Sequence, residues 1–103
     1  MSERNQTICF IYAVHFDETN GRHISQVKAR DAIEGKIEPM RILSKSEVLK
    51  KLDSGFDVIT MVKGGVDYVP GANVLAYTID KKRYIKTAAN DTEEDNLGEL
   101  PTF

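Results

Sequence analysis

Residues able to do chemistry crowd into the closing stretch of this chain, where Lys86, Asp91, Asp95 and Asn96 run into Leu97, Leu100 and Pro101. A cation, two carboxylates and an amide so close together could bind a polar ligand, with Tyr84 offering an aromatic surface beside them. The two carboxylates and the amide oxygen could also hold a hard cation such as Mg²⁺ or Ca²⁺. No calcium-loop pattern surrounds them, so we expect no metal and no cofactor. The same residues have a structural explanation. Thr92 can cap a short turn with Asp95 three residues on, Glu93 and Glu94 suit its positive end, and Asn96 can bond to nearby backbone. Leu97 and Leu100 can then pack into a sheet before Pro101.

An enzyme would need a nucleophile with a base, or an acid and a base with separated pKa values. His15 and His23 are the two histidines, and Cys9 lies in the strand that carries His15. Along an extended strand those two side chains stand about 20 Å apart, far beyond hydrogen-bond reach. Gly64-Gly65 lacks the residues that complete a phosphate-binding or dinucleotide loop. Asp91 with Asp95 could do acid–base work, but nothing in the sequence separates their roles. We assign no catalytic residue and expect a non-enzymatic protein.

Lys81, Lys82 and Arg83, followed by Tyr84 and Lys86, place basic and aromatic residues on one hairpin. Sheets use such faces to stack on single-stranded nucleic acid. The pI of 5.6, the acidic closing segment and the lack of a glycine-aromatic RNA-binding signature weigh against it. Nucleic-acid contact is therefore the alternative reading.

Several elements must position these residues. Ile8 to Val14 is apolar on both alternating faces and reads as a central strand over 7–16. A turn at Asn20-Gly21 and a half-exposed partner over 23–30 complete a hairpin. Apolar segregation selects the register that sets Val14 opposite Val27, Tyr12 opposite Ala29, Ala13 opposite Lys28 and His15 opposite Gln26. The span 31–39 reads as a connection and 40–43 as a short edge strand. Ser44 and Glu47 form a capping box, Leu43 and Val48 a hydrophobic staple, and Gly55 a left-handed stop, so a helix covers 45–53. Glu47 and Lys51 are spaced for an ion pair along it. Strands follow over 56–62, 73–79 and 82–87, with 66–71 as a loop. A turn at Asp80-Lys81 sets Tyr77 opposite Tyr84 and Ala76 opposite Ile85. With no βαβ repetition, the expected fold is α+β: a single antiparallel sheet of about five strands with one helix packed on one face.

The 103 residues suit a single domain over 1–103, ending in an acidic capped segment over 88–103. Hydrophobic residues make up 41% and charged residues 29%, a balance that excludes a disordered or fibrous chain. No apolar stretch is long enough to cross a bilayer, and residues 1–6 lack the pattern of a secretory signal, so we expect a cytoplasmic protein with no membrane contact. Cys9, the single cysteine, reads as a buried structural thiol. The net charge of -2 conceals five acids, Asp91, Glu93, Glu94, Asp95 and Glu99, gathered behind a more basic body that they could lie over.

The strand Arg83 to Thr87, the spacing to Asp91, and the elements Asp95-Asn96-Leu97 and Leu100-Pro101 resemble the C-terminal signature of a family of small bacterial domains of unknown function. Asn20-Gly21-Arg22, the strand from Ile24 and the helix after Ser46 fit its order, so the resemblance spans about 8–101. It implies no activity and no catalytic residue. Longer connections over 31–39 and 63–71 depart from the shorter members. The reading that results is a small binding or interaction module, of the kind that mobile elements and phages encode. It would act through a sheet edge or through the face around Tyr84, Lys86, Asp91, Asp95 and Asn96. Its expected partner is another protein, a second copy joined through a sheet edge included. Single-stranded nucleic acid on 81–86 is the first alternative, and a small-ligand or enzymatic site around Asp91 and Asp95 the second.

Overall fold

The computed structural model describes residues 7–17, 23–87, 97 and 100–103. The elements are β1 (Thr7–Asp17), β2 (His23–Ile33), β3 (Lys36–Ile37), β4 (Arg41–Ser44), α1 (Lys45–Asp53), β5 (Asp57–Gly64), β6 (Asp67–Asn73), β7 (Leu75–Ile79) and β8 (Lys82–Lys86). The doubly apolar β1 is central, as its pattern requires. It pairs antiparallel with β2 on one side and parallel with β5, through Ile8 to Ile11, on the other. The main sheet runs β3-β2-β1-β5-β6 with β4 also on β2, and β7 and β8 form a separate two-stranded sheet.

The α+β class holds, but the single antiparallel sheet does not. The parallel pair is joined by a crossover containing β2, β3, β4 and α1. A lone crossover helix would have left a βαβ pattern in the sequence, and this longer excursion leaves none. Two spans read as irregular are also strand. β2 continues to Ile33 and turns through Glu34 (φ 51) and Gly35 (φ 85) into β3. Residues 67–73 form β6, which returns along β5 after a two-residue turn at Gly65 and Val66. The strand expected over 73–79 is split: β6 ends at Asn73, and Val74 donates its N–H to the Val58 carbonyl at 2.7 Å before β7 begins.

In the first hairpin Val14 faces Val27, His15 faces Gln26 and Ala13 faces Lys28, as expected. Ala29, however, pairs with Ile11, because Tyr12 is an extra residue at a β-bulge. The turn at Asn20-Gly21 lies outside the described residues. In the second hairpin Tyr77 faces Tyr84 and Ala76 faces Ile85, as the Asp80-Lys81 turn predicts.

The helix spans Lys45–Asp53, and its capping box is formed in both directions between Ser44 and Glu47. At its end Phe56 N–H bonds to the Lys51 carbonyl at 3.0 Å and Gly55 N–H to the Leu52 carbonyl at 3.1 Å. With Gly55 at φ 92 this is a Schellman stop. The hydrogen bond from the Ser44 backbone, foremost, holds the Glu47 carboxyl below its ordinary range. Lys51 makes its ion pair with Asp31, and its charge also helps to lower the Glu47 carboxyl.

One face of the main sheet carries the core. Cys9, Ile11 and Val14 of β1, Val27 and Ala29 of β2 and Val58 of β5 are buried there under Val48 of α1 and Ile85 of β8. Leu97 and Leu100 join the same cluster, as read from the closing segment. Burying each such side chain contributes roughly 1.5–3 kcal/mol. Arg83 grips both oxygens of Asp53 at 3.0 and 2.8 Å, fastening β8 to the end of α1. That guanidinium holds the Asp53 carboxyl below its usual range. Residues 101–103 lie alongside β1: Val14 N–H donates to the Pro101 carbonyl at 2.9 Å, and Phe103 N–H donates to the Val14 carbonyl at 3.0 Å. Among the described residues no helix is long and apolar enough to cross a membrane.

Candidate functional site

Of the residues singled out in the closing segment, the described structure holds Tyr84 and Lys86 together on β8. Alternation places them on one side of that strand and Ile85 on the other. All three are buried, Lys86 completely and Tyr84 to 1% exposure. The Lys86 ammonium stands 5.7 Å and the Lys45 ammonium 5.2 Å from the centre of the Tyr84 ring, and the His23 ring stacks on it at 5.8 Å. A buried ammonium is costly unless partnered, and Lys86 is partnered. Asp91, Asp95 and Asn96 lie outside the described residues. On the hairpin tip Lys81, Lys82 and Arg83 are exposed, but Arg83 is held by Asp53 and Tyr84 is inside. The hairpin therefore offers charge with Tyr84 withdrawn from its surface.

A second polar cluster, which sequence reasoning missed, sits on the core side of the sheet. Asp31 Oδ2 accepts from Arg41 Nη2 and from Lys51 Nζ, each at 3.0 Å, so one buried carboxylate fastens β4 and α1 to β2. Its Oδ1 is buried without a hydrogen-bond partner among the described residues. Cys9 is the register partner of Asp31. Burial first, and then the Asp31 charge, push the Cys9 thiol up from 9.0 to about 12. Such a thiol is inert, as a structural cysteine should be. A groove of about 270 Å³ beside the cluster is lined by Arg41, Leu43, Glu47, Lys50 and Lys51. Asp31 engages Arg41 and Lys51, and Ser44 engages Glu47, so these groups mainly hold the fold together. The alternation Val27, Ala29, Asp31 opposite Cys9 was the signal that could have exposed this acid as an inward residue.

The other face of the main sheet follows from register. On β1 the positions alternating with Cys9 and Ile11 are Phe10 and Tyr12; Arg30 faces Phe10 from β2, and Ile59 faces it from β5. Lys28 follows on the same side of β2, and Met61 and Lys63 on the same side of β5. Tyr68 of β6 pairs with Lys63, and its ring meets Tyr12 edge-to-face with centroids 5.0 Å apart. Phe10, Tyr12, Ile59 and Met61 are only partly buried, and Tyr68 is 47% exposed. Among the described residues, α1, β7 and β8 all pack on the opposite face. Lys28 lies over the Phe103 ring at 4.9 Å, and Arg30 Nε donates to the Glu38 carbonyl at 3.1 Å. His15 Nδ1 contacts the main-chain oxygen of Phe103. Sequence reasoning treated β1 as doubly apolar and so did not separate Phe10 and Tyr12 from the core.

Residues 10–101 match the DUF3892 family, described as a protein of unknown function, and the chain belongs to that family. This agrees with the resemblance read from the closing segment at the level of a domain without assigned activity. No curated protein and no solved structure matches the chain.

Proposed function

We propose that this protein is a non-enzymatic binding module whose contact surface is the uncovered face of the main sheet. The observation that carries the reading is the exposure of Tyr68 beside partly buried Tyr12, Phe10 and Met61 on a face that no described element covers. Aromatic surface left exposed among polar residues is a common mark of an interaction site. The inert Cys9 thiol supports the non-enzymatic part, since a nucleophile requires the thiolate. Sheet-edge pairing with a second copy has less support at β6, where Pro70, Gly71 and a register shift interrupt the ladder.

Affinity capture from cell extract tests the sheet-face reading. Tyr68→Asp should abolish retention of whatever macromolecule the unaltered protein holds, and Lys82→Glu should leave it unchanged. Retention that survives Tyr68→Asp would move the contact surface elsewhere.

A further inference from the structure

We propose that the uncovered sheet face binds single-stranded nucleic acid, with Phe10, Tyr12 and Tyr68 as the stacking surface and Lys28, Arg30 and Lys63 as the phosphate contacts. The inference rests on the reading that this face is the contact surface and adds the class of ligand. The three rings lie on β1 and β6, in the middle and on one flank of the face. Lys28 and Arg30 come from β2 on one side of β1, and Lys63 from β5 on the other. Lys28 and Arg30 therefore flank the β1 rings across the β1–β2 pair, while Lys63 stands beside Tyr68 across the β5–β6 pair, past the point where β5 leaves β1. Between Ile8 and Ala13 on β1, and at the positions facing that stretch on β2 and β5, the only outward carboxylate is Asp57, at the margin beside Ile8. A local excess of positive charge attracts a polyanion whatever the net charge of the chain.

Other occupants fit less well. Two copies meeting face to face would bring the same cations together. A duplex hides the base faces that the rings would stack on, and an acidic peptide would answer the cations but leave the rings unused. Single strands use both, because every base has a π-face and every linkage a charge. The alternative hairpin surface has lost Tyr84 to the interior, at 1% exposure, and its Arg83 is held by Asp53.

The test is fluorescence anisotropy of a labelled single-stranded oligonucleotide of about 12 nucleotides, with the duplex of the same sequence and polyglutamate as competitors. Binding is expected at low salt and should weaken roughly 20-fold between about 50 and about 200 mM salt if the three cations each neutralise a phosphate. Tyr68→Ala should weaken it about 10-fold and Tyr68→Phe should restore it, because the ring and not the hydroxyl does the stacking. Lys28→Gln should lower the salt dependence by one phosphate contact, and Lys82→Glu should change nothing. Circular dichroism of each variant confirms that it is folded. No binding at about 100 µM protein, equal competition by the duplex, or displacement by polyglutamate alone would each overturn the proposal. If the oligonucleotide fails while Tyr68→Asp still abolishes capture from extract, the ligand class is wrong and the contact face stands. If neither responds to Tyr68, both fall.

Discussion

On β1, Cys9 and Ile11 are fully buried while Phe10 and Tyr12, one position along, remain partly exposed, and the same division runs across β2 and β5. The inner face spends its charge internally: Asp31 ties Arg41 and Lys51 to itself under the helix. The outer face carries Lys28, Arg30 and Lys63 beside rings that no described element covers. Period-two alternation thus divides one set of strands into a side that settles stability and a side available to a partner. Inner-face changes should be read in unfolding experiments, and outer-face changes in binding.

The sharpest way to break that division is Asp31→Ala, which leaves Lys51 and Arg41 beside an empty position. A loss of about 3 kcal/mol in urea unfolding is expected, because Lys51, 16% exposed, loses its carboxylate, whereas Arg41, 55% exposed, can turn to solvent. A loss below about 0.5 kcal/mol, the range of ordinary surface changes, would show the inner face to be less decisive than the geometry implies.

Gly71→Ala tests the close approach of β6 to β5. An added Cβ would stand 2.5 Å from Thr60 Oγ1, which accepts from Ala72 N–H at 3.0 Å and cannot turn away without releasing it. About 2 kcal/mol of destabilisation should follow from that overpacking.

Cys9 sets a pH dependence of defined sign. Its thiol is raised from 9.0 to about 12 in the folded state, so its contribution to stability is complete below pH 9 and is lost as pH rises toward 12. Wild-type stability should therefore fall more steeply than that of Cys9→Ala between about pH 8 and about pH 11, as read from paired denaturant titrations. Parallel curves would show that the thiol ionises as freely folded as unfolded.

Smallest in stability and largest in binding should be Tyr68→Ala. The half-exposed ring forfeits an edge-to-face contact with Tyr12, worth under about 1.5 kcal/mol, while the affinity for single strands drops. Equal effects on both measurements would erase the distinction between the faces.

Elements written in local residues were legible from sequence alone. The helix bounds, its capping box, the Gly55 stop and the Tyr77–Tyr84 register all rest on neighbours within a few positions. The parallel β1–β5 pairing was not legible, because its partners are separated by three strands and a helix and nothing local reports a contact that distant. β6 was missed because its seven residues are all exposed and include Pro70 and Gly71, leaving no apolar alternation to detect. The Tyr12 bulge inserts one residue, so the pairing forecast correctly at Val14 was off by one at Ala29. Of the candidate site, Tyr84 and Lys86 were found as neighbours, but their burial came from tertiary packing that spacing does not encode.

The bridge between Val14 and Thr102 bears on how the sheet avoids pairing with other molecules. β5 accompanies β1 only as far as Ile11, and beyond that point the Val14 amide and carbonyl are satisfied by Pro101 and Phe103. Without those contacts a bare length of backbone in the sheet would be uncovered, a ready template onto which a strand from another molecule could zip. Shelf life and resistance to clumping should accordingly depend on three residues that add little to the core.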